Sequence, residues 1–182
     1  LGTWSRGALL GIAAVGFFLW MKSPSKLPMA VLLVVGGLLI LPMMPEAWWS
    51  RMQTIESYQE DTSATGRINA WINNWNLAKA HVFGGGFMIY MPDVFARFAP
   101  EPDRIHAAHS IYFQMLGEHG FIGLFLFLGI GLCTWLEASR MIRISAGHEG
   151  LKWACDLGQM IHVSVIAYAV TGAFLSLSLI HI

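Results

Sequence analysis

The most reactive side chains of the sequence lie where a polar segment gives way to a long apolar one. His106, His109, Glu118 and His119 are clustered there. Ionisable groups at the start of an apolar stretch are costly and usually functional. A neutral imidazole can accept a proton near physiological pH, so His109 is a candidate general base.

The histidines also allow two other interpretations. On a helix, His106 and His109 would share one face and could provide two metal ligands. A catalytic zinc site needs a third protein ligand, and His119 is too far along the same helix to supply it. We therefore predict no metal site. The remaining interpretation is structural, with hydrogen-bonded histidines, and it is the default for His106, His119, His162 and His181.

Two arginines complete the candidate site. Arg6 precedes the first apolar stretch, and Arg67 begins a segment with helical spacing. An arginine in the first turn of a helix gains nothing from the helix dipole, so Arg67 indicates an anionic ligand. The alternatives are that Arg6 only reaches to lipid headgroups, and that Arg67 forms an ion pair with Glu60 or Asp61.

Composition and hydropathy indicate that helices crossing a membrane must position these residues. The 182 residues are 55% hydrophobic and 12% charged, against about 25% charged in soluble domains. A span needs about 20 mostly apolar residues, and we predict spans at residues 5–21, 27–44, 107–136 and 157–180. The expected fold is all-α, polytopic and transmembrane, with about four spans. Residues 1–182 are expected to be a single membrane domain, as a fragment of a longer protein.

The short loops predict the orientation of these spans. Lys22 and Lys26 lie between the first and second spans, and three more basic residues lie between the third and fourth (Arg140, Arg143 and Lys152). Short loops rich in Lys and Arg stay in the cytoplasm. The long loop, residues 45–106, is therefore predicted to be periplasmic. Arg6, Arg67 and His109 would then share the periplasmic face of the membrane.

The segment 67–80 is predicted to be an amphipathic helix. Its apolar residues recur every three or four positions, and asparagines fill much of the other side. The helix could lie on the membrane surface with its tryptophans inward, or it could pack on the core of the protein. The Gly84-Gly85-Gly86 run that follows is interpreted as a flexible turn rather than a phosphate cradle.

The order of these motifs resembles that of a known enzyme family. His109-Ser110, followed by Gly120, Gly123 and a hydrophobic span, resembles the histidine signature of bacterial O-antigen ligases. Ser5-Arg6-Gly7-Ala8 and Gly66-Arg67 look like the two arginine elements of that family. The stretch 84–110 most resembles the exosortase-associated branch, which contains O-glycosylation ligases.

The resemblance implies a metal-independent, inverting membrane glycosyltransferase of the GT-C type, without a cofactor. Such an enzyme takes a glycan from an undecaprenyl diphosphate carrier and joins it to an acceptor hydroxyl on a glycolipid, protein or polysaccharide. By this resemblance, His109 assists the acceptor, while Arg6 and Arg67 hold the diphosphate. Tyr112 and Gln114 either contact the substrate or only pack. The expected location is the bacterial inner membrane, with the active site facing the periplasm.

Three other functions compete with the ligase interpretation. A polysaccharide polymerase of the same superfamily would use the same donor with a lipid-linked chain as acceptor. A non-catalytic transporter or channel subunit would have ionisable residues in the middle of its spans, where only Glu118 and His162 come near. A structural scaffold would leave the two arginines and the histidine unexplained. The sequence has no run of basic residues of the kind that binds nucleic acid.

Overall fold

A computed structural model describes residues 6–23, 25–43, 46 and 62–174, and all regular structure in these ranges is helical. The α-helices are α1 (Arg6–Lys22), α2 (Lys26–Ile40), α3 (Thr62–Ala80), α4 (Pro92–Phe98), α5 (Ile111–Ser145) and α6 (Lys152–Gly172). Short 3-10 turns occur at Leu41–Met43, Gly86–Met88 and Glu149–Leu151. The predicted all-α class is confirmed for the described residues. Glu60, Asp61, residues 175–182 and the side chain of Arg6 lie outside them.

Two helical stretches are long and apolar enough to cross a membrane. They are α5 and the stretch Glu149–Gly172, which contains α6. α1 and α2 are apolar but shorter, and no side chain of α2 is buried. Apolar helices with exposed apolar side chains are typical of membrane spans. The total of about four spans stays a prediction.

α5 and α6 pack closely along much of their length, and α1 packs on α6. A Cβ at Gly158 of α6 would lie only 2.7 Å from Ile142 Cγ1 of α5, so a small residue is needed where the two helices cross. Nearby, the rings of Trp135 and His162 stack with centroids 3.9 Å apart, and Ser139 Oγ lies 3.0 Å from His162 Nε2. His162 therefore has a structural role between two helices, in line with its default interpretation.

The backbone of α5 breaks at Gly120, which separates a short first part from the long apolar part. Gly120 has φ 67° and ψ −166°, a conformation open mainly to glycine. The glycine run crosses this break closely, since Gly85 N–H donates a 2.8 Å hydrogen bond to the Gly117 carbonyl. A Cβ at Gly84 would lie 2.5 Å from the Glu118 carbonyl oxygen. The glycines thus allow the loop backbone to pass directly over α5.

The helix α3 packs on the protein with a face that carries asparagines as well as small apolar residues. Asn69 is 3% exposed, and Asn73, Asn74 and Ala78 are fully buried, whereas Trp75 is 45% exposed. Packing on the core was one of the two interpretations, and the sequence left open which face would be buried. The asparagines can be buried because their amides bond to the loop that α3 covers. For example, Asn69 Nδ2 donates to the carbonyls of Glu101 at 2.8 Å and Arg104 at 2.9 Å.

Candidate active site

Arg67 lies in the second turn of α3, because the helix begins at Thr62. The expectation that Arg67 stands in the first turn is therefore wrong, and the argument from the helix dipole does not apply. The Nε atom of Arg67 is buried and has no hydrogen-bond partner. Among the described residues, no carboxylate forms an ion pair with its guanidinium. A half-buried cation of this kind is suited to an anionic ligand.

His109 stands just before α5 in a strained conformation. Residues 104–110 have no regular structure. Among the described residues other than glycine, only His109 has a positive φ, at 46°. His106 and His109 therefore do not share a helix face, which was the condition for their providing two metal ligands from one helix. A β-carbon makes the left-handed region unfavourable, and such residues often occur at functional sites.

Arg67, His106 and His109 are brought close enough to interact electrostatically. Partial burial lowers the pKa of His109 below its usual 6.5, and the charges of Arg67 and His106 lower it further. The side chain of His109 nevertheless remains accessible at the surface. An accessible imidazole that stays neutral at physiological pH can accept a proton from a substrate.

His106 rests against the helix that carries Arg67. A Cβ at Gly66 would overlap its imidazole ring and lie 2.6 Å from its Nε2. Glycine at position 66 therefore leaves room for His106 beside Arg67. The default interpretation of His106 is structural, and the structure adds an electrostatic effect, because His106 contributes to lowering the pKa of His109.

The backbone of Ala108 is held from two sides. The indole Nε1–H of Trp71 donates to the Ala108 carbonyl at 2.6 Å, and the Ala108 N–H donates to Tyr90 Oη at 3.3 Å. Trp71 also stacks on Phe113 of α5, with centroids 4.9 Å apart and planes 5° apart. Trp71 and Tyr90 were not predicted to contact Ala108, because neither contact has a local sequence signal.

Arg6 begins α1 at the end of the helices where His109 lies. A Cβ at Gly11 of α1 would overlap Thr171 of α6, and Gly172 of α6 lies against Ile111, the first residue of α5. The N-terminal parts of α1 and α5 therefore both pack on the C-terminal end of α6. Arg6 and His109 precede these packed parts, although the side chain of Arg6 is outside the described residues.

Tyr112 and Gln114 use polar atoms on the protein itself. Tyr112 Oη donates to the Ala169 carbonyl of α6 at 2.7 Å. Gln114 is buried, and its Nε2 donates to Glu118 Oε1 at 2.8 Å, one turn further along α5. Both residues lie within two turns of His109 and support the start of α5. Their predicted contact with the substrate stays a prediction.

A comparison with known families identifies the family of the chain. A model of the O-antigen ligase family matches residues 1–128 of the 182, which include every predicted site residue. The chain belongs to the O-antigen ligase family. Its members have ligase- or polymerase-type activity on lipid-linked glycans in a membrane setting. No curated protein and no solved structure matches the chain significantly. The narrower resemblance to the exosortase-associated branch stays a prediction.

Metal ligands are not gathered at this site. No group of three or more His, Cys, Asp or Glu side chains comes together in ranges 6–23, 25–43 and 62–174 in a way that could hold a metal ion. His106 and His109 lie near each other without a third ligand of this kind. Within these ranges, the charged groups that act on His109 are Arg67 and His106.

Proposed function

We propose that this O-antigen ligase family member transfers a glycan from an undecaprenyl diphosphate carrier to an acceptor hydroxyl at the periplasmic face of the bacterial inner membrane. Family membership supports ligase-type activity on a lipid-linked glycan. The observation that supports the residue roles is the placement of His109, with its lowered pKa, beside the positive charge of Arg67. The donor, acceptor and topology are part of the proposal.

His109 is the proposed base. It would accept the proton of the acceptor hydroxyl while that oxygen bonds to the anomeric carbon of the glycan. The bond from this carbon to the diphosphate breaks at the same time, and the diphosphate leaves with the electron pair. Attack opposite the leaving group inverts the anomeric configuration, as the family resemblance implies. A neutral imidazole is the form that can take the proton.

Arg67 and Arg6 are the proposed diphosphate ligands. A diphosphate is already a good leaving group, so stabilising the negative charge that grows on it can contribute much of the catalysis. The planar guanidinium donates two hydrogen bonds to phosphate oxygens at once, which lysine cannot do. The unpartnered Nε of Arg67 supports this role. Tyr112 and Gln114 would keep the first turn of α5 in place beside the substrate. No metal or cofactor takes part in the proposed step.

The first experiment replaces His109 by Ala in the full-length protein. Glycan transfer should fall by about 100-fold or more, the usual contribution of a general base, and the lipid-linked donor should accumulate. The matched control is His148→Ala, at an exposed position in the link between α5 and α6, which should transfer normally. Transfer by His109→Ala at the control rate, with equal protein in the membrane, would remove His109 as the base.

The same experiment separates the ligase from the polymerase of the same superfamily. Loss of a ligase leaves the complete lipid-linked glycan unused. Loss of a polymerase leaves single, unpolymerised repeat units on the carrier. The chain length of the lipid-linked material in the His109→Ala strain therefore distinguishes the two. A transporter or scaffold predicts that the purified protein transfers no glycan, whether or not the two arginines and His109 are present.

A further inference from the structure

We propose that Trp71 and Tyr90 are positioning residues that hold the backbone of Ala108 and thereby fix His109 for proton transfer. The inference rests on the proposed function of His109. Neither residue needs to touch the substrate in this role. Both act through the peptide groups next to the base.

The two hydrogen bonds fix two consecutive peptide planes. The Ala108 carbonyl, bonded to Trp71 at 2.6 Å, belongs to the plane that also contains the His109 N–H. The Ala108 N–H, bonded to Tyr90 at 3.3 Å, belongs to the preceding plane. Because a peptide unit is rigid, holding both planes determines the direction from which the chain enters His109.

We call the hydrogen bonds of Trp71 and Tyr90 with Ala108 the clamp. The clamp explains why His109 can remain at φ 46°. A residue with a β-carbon stays in the left-handed region only when its surroundings over-determine the conformation. Ala108 is fully buried in a cluster with Ala70 and Phe95, and Trp71, Tyr90 and Phe113 pack against this cluster. The backbone before His109 is thus fixed by both packing and hydrogen bonds.

The clamp residues are themselves held in place. The ring of Trp71 stacks on Phe113. Tyr90 forms a second hydrogen bond, to the Asn74 side chain, and burial raises the pKa of its phenol so that it stays neutral. Asn74 Nδ2 in turn donates to the Phe113 carbonyl at 3.0 Å. The network connects α3, the loop after it and α5.

Trp71 also fixes the position of His109, the proposed base, relative to Arg67. The two residues are four positions apart on α3, so they lie on the same face of one helix. Trp71 bonds to the residue before His109, while Arg67 affects the charge of the His109 ring. Without the Trp71 hydrogen bond, the distance between Arg67 and His109 would therefore be less well fixed.

The test uses Trp71→Phe and Tyr90→Phe in the full-length protein, assayed for glycan transfer in membranes. Trp71→Phe deletes the hydrogen bond to the Ala108 carbonyl. Tyr90→Phe deletes the hydrogen bonds with the Ala108 N–H and with the Asn74 side chain. Both changes keep an aromatic ring. The matched controls are Trp75→Phe and Tyr168→Phe, which make the same chemical changes at exposed positions of α3 and α6. We expect kcat to fall about tenfold in each clamp variant, with the donor KM unchanged, because small misplacements of catalytic groups are costly.

Hydrogen–deuterium exchange gives a readout that does not depend on activity. Exchange in a peptide covering residues 105–111 should become faster in Tyr90→Phe, since the Ala108 N–H loses its acceptor. It should stay unchanged in Tyr168→Phe. If Trp71→Phe does not reach the membrane, Tyr90→Phe alone decides.

The clamp and the proposed function fail in different ways. If His109→Ala abolishes transfer while both clamp variants keep the kcat of their controls, the clamp is wrong and the base stands. A fall in protein stability without a change in kcat per folded protein also contradicts the clamp. If His109→Ala keeps normal transfer, the proposed function itself is wrong.

Discussion

The guanidinium of Arg67 lies near enough to the imidazole of His109 to lower its pKa, although 42 positions separate the two residues in the sequence. One is on α3 and the other immediately precedes α5. An imidazole and a guanidinium in this proximity suit the proposed reaction, in which a hydroxyl loses a proton as a diphosphate leaves.

Replacing Arg67 by Gln should raise the pKa of His109 towards 6.5, because a positive charge that disfavours the imidazolium is removed. The neutral form would then be lost at a higher pH. Since the variant should transfer slowly, the measurement is the pH dependence of diethylpyrocarbonate modification of His109, followed by mass spectrometry. The control is Arg97→Gln on α4, exposed and not among the causes of the shift. Identical profiles for both variants would contradict the Arg67–His109 interaction.

Replacing His106 by Gln should raise the pKa of His109 in the same direction but by less. His106 contributes less than burial and less than Arg67 to the lowered pKa of His109. Transfer should persist, with its acid limb at a slightly higher pH than in the unmodified protein. The same assay applies, with His148→Gln as the control. An acid limb that moves to lower pH would show that His106 does not repel the protonated base.

Replacing Gly120 by Ala should destabilise the protein by about 3 kcal/mol or more. The new Cβ would meet the Val82 carbonyl oxygen, and φ 67° is strained for alanine. The matched control is Gly129→Ala in the same helix, where nothing lies within 4 Å of the added Cβ and alanine improves helix propensity. The measurement is the midpoint of thermal aggregation in detergent. Equal midpoints would mean that the loop does not cross α5 at Gly120.

Replacing Asn69 by Ala should cost roughly 2 kcal/mol of stability, because buried backbone groups lose their partners. Asn69 donates to two carbonyls, and its Oδ1 accepts from the Glu101 N–H at 2.9 Å. Asn76→Ala removes a single 2.9 Å bond to the Phe98 carbonyl and should cost less than half as much. The same thermal measurement compares the two. A larger loss for Asn76→Ala would contradict the buried orientation of the asparagine face.

The sequence predicted the helices more accurately than their orientation. Apolar runs long enough for spans identified α5 and α6, because hydropathy is a local property. The buried face of α3 was left open, because apolar periodicity alone does not choose between lipid and the protein core. In this helix three asparagines are buried together with small apolar residues, and the Asn69 amide bonds to carbonyls of a loop about 30 residues away.

The motifs predicted which residues could form a site, but not their geometry. Arg67 and His109 were selected from their motifs, and the family match includes both. A shared helix face for His106 and His109 was considered only as a condition, and His109 has a left-handed backbone that no helix allows. The backbone next to His109 is bonded to Trp71 and Tyr90, which contact Ala108 from other parts of the chain.

The sequence alone determined the helical membrane class, the family motifs and the chemical types of the proposed site. These properties follow from composition, local periodicity and the order of residues along one chain. The tertiary structure decided which face of α3 is buried, where α5 breaks and how His109 is held beside Arg67. Those features depend on hydrogen bonds and close backbone contacts between distant segments, and their partners are chosen only when the chain folds.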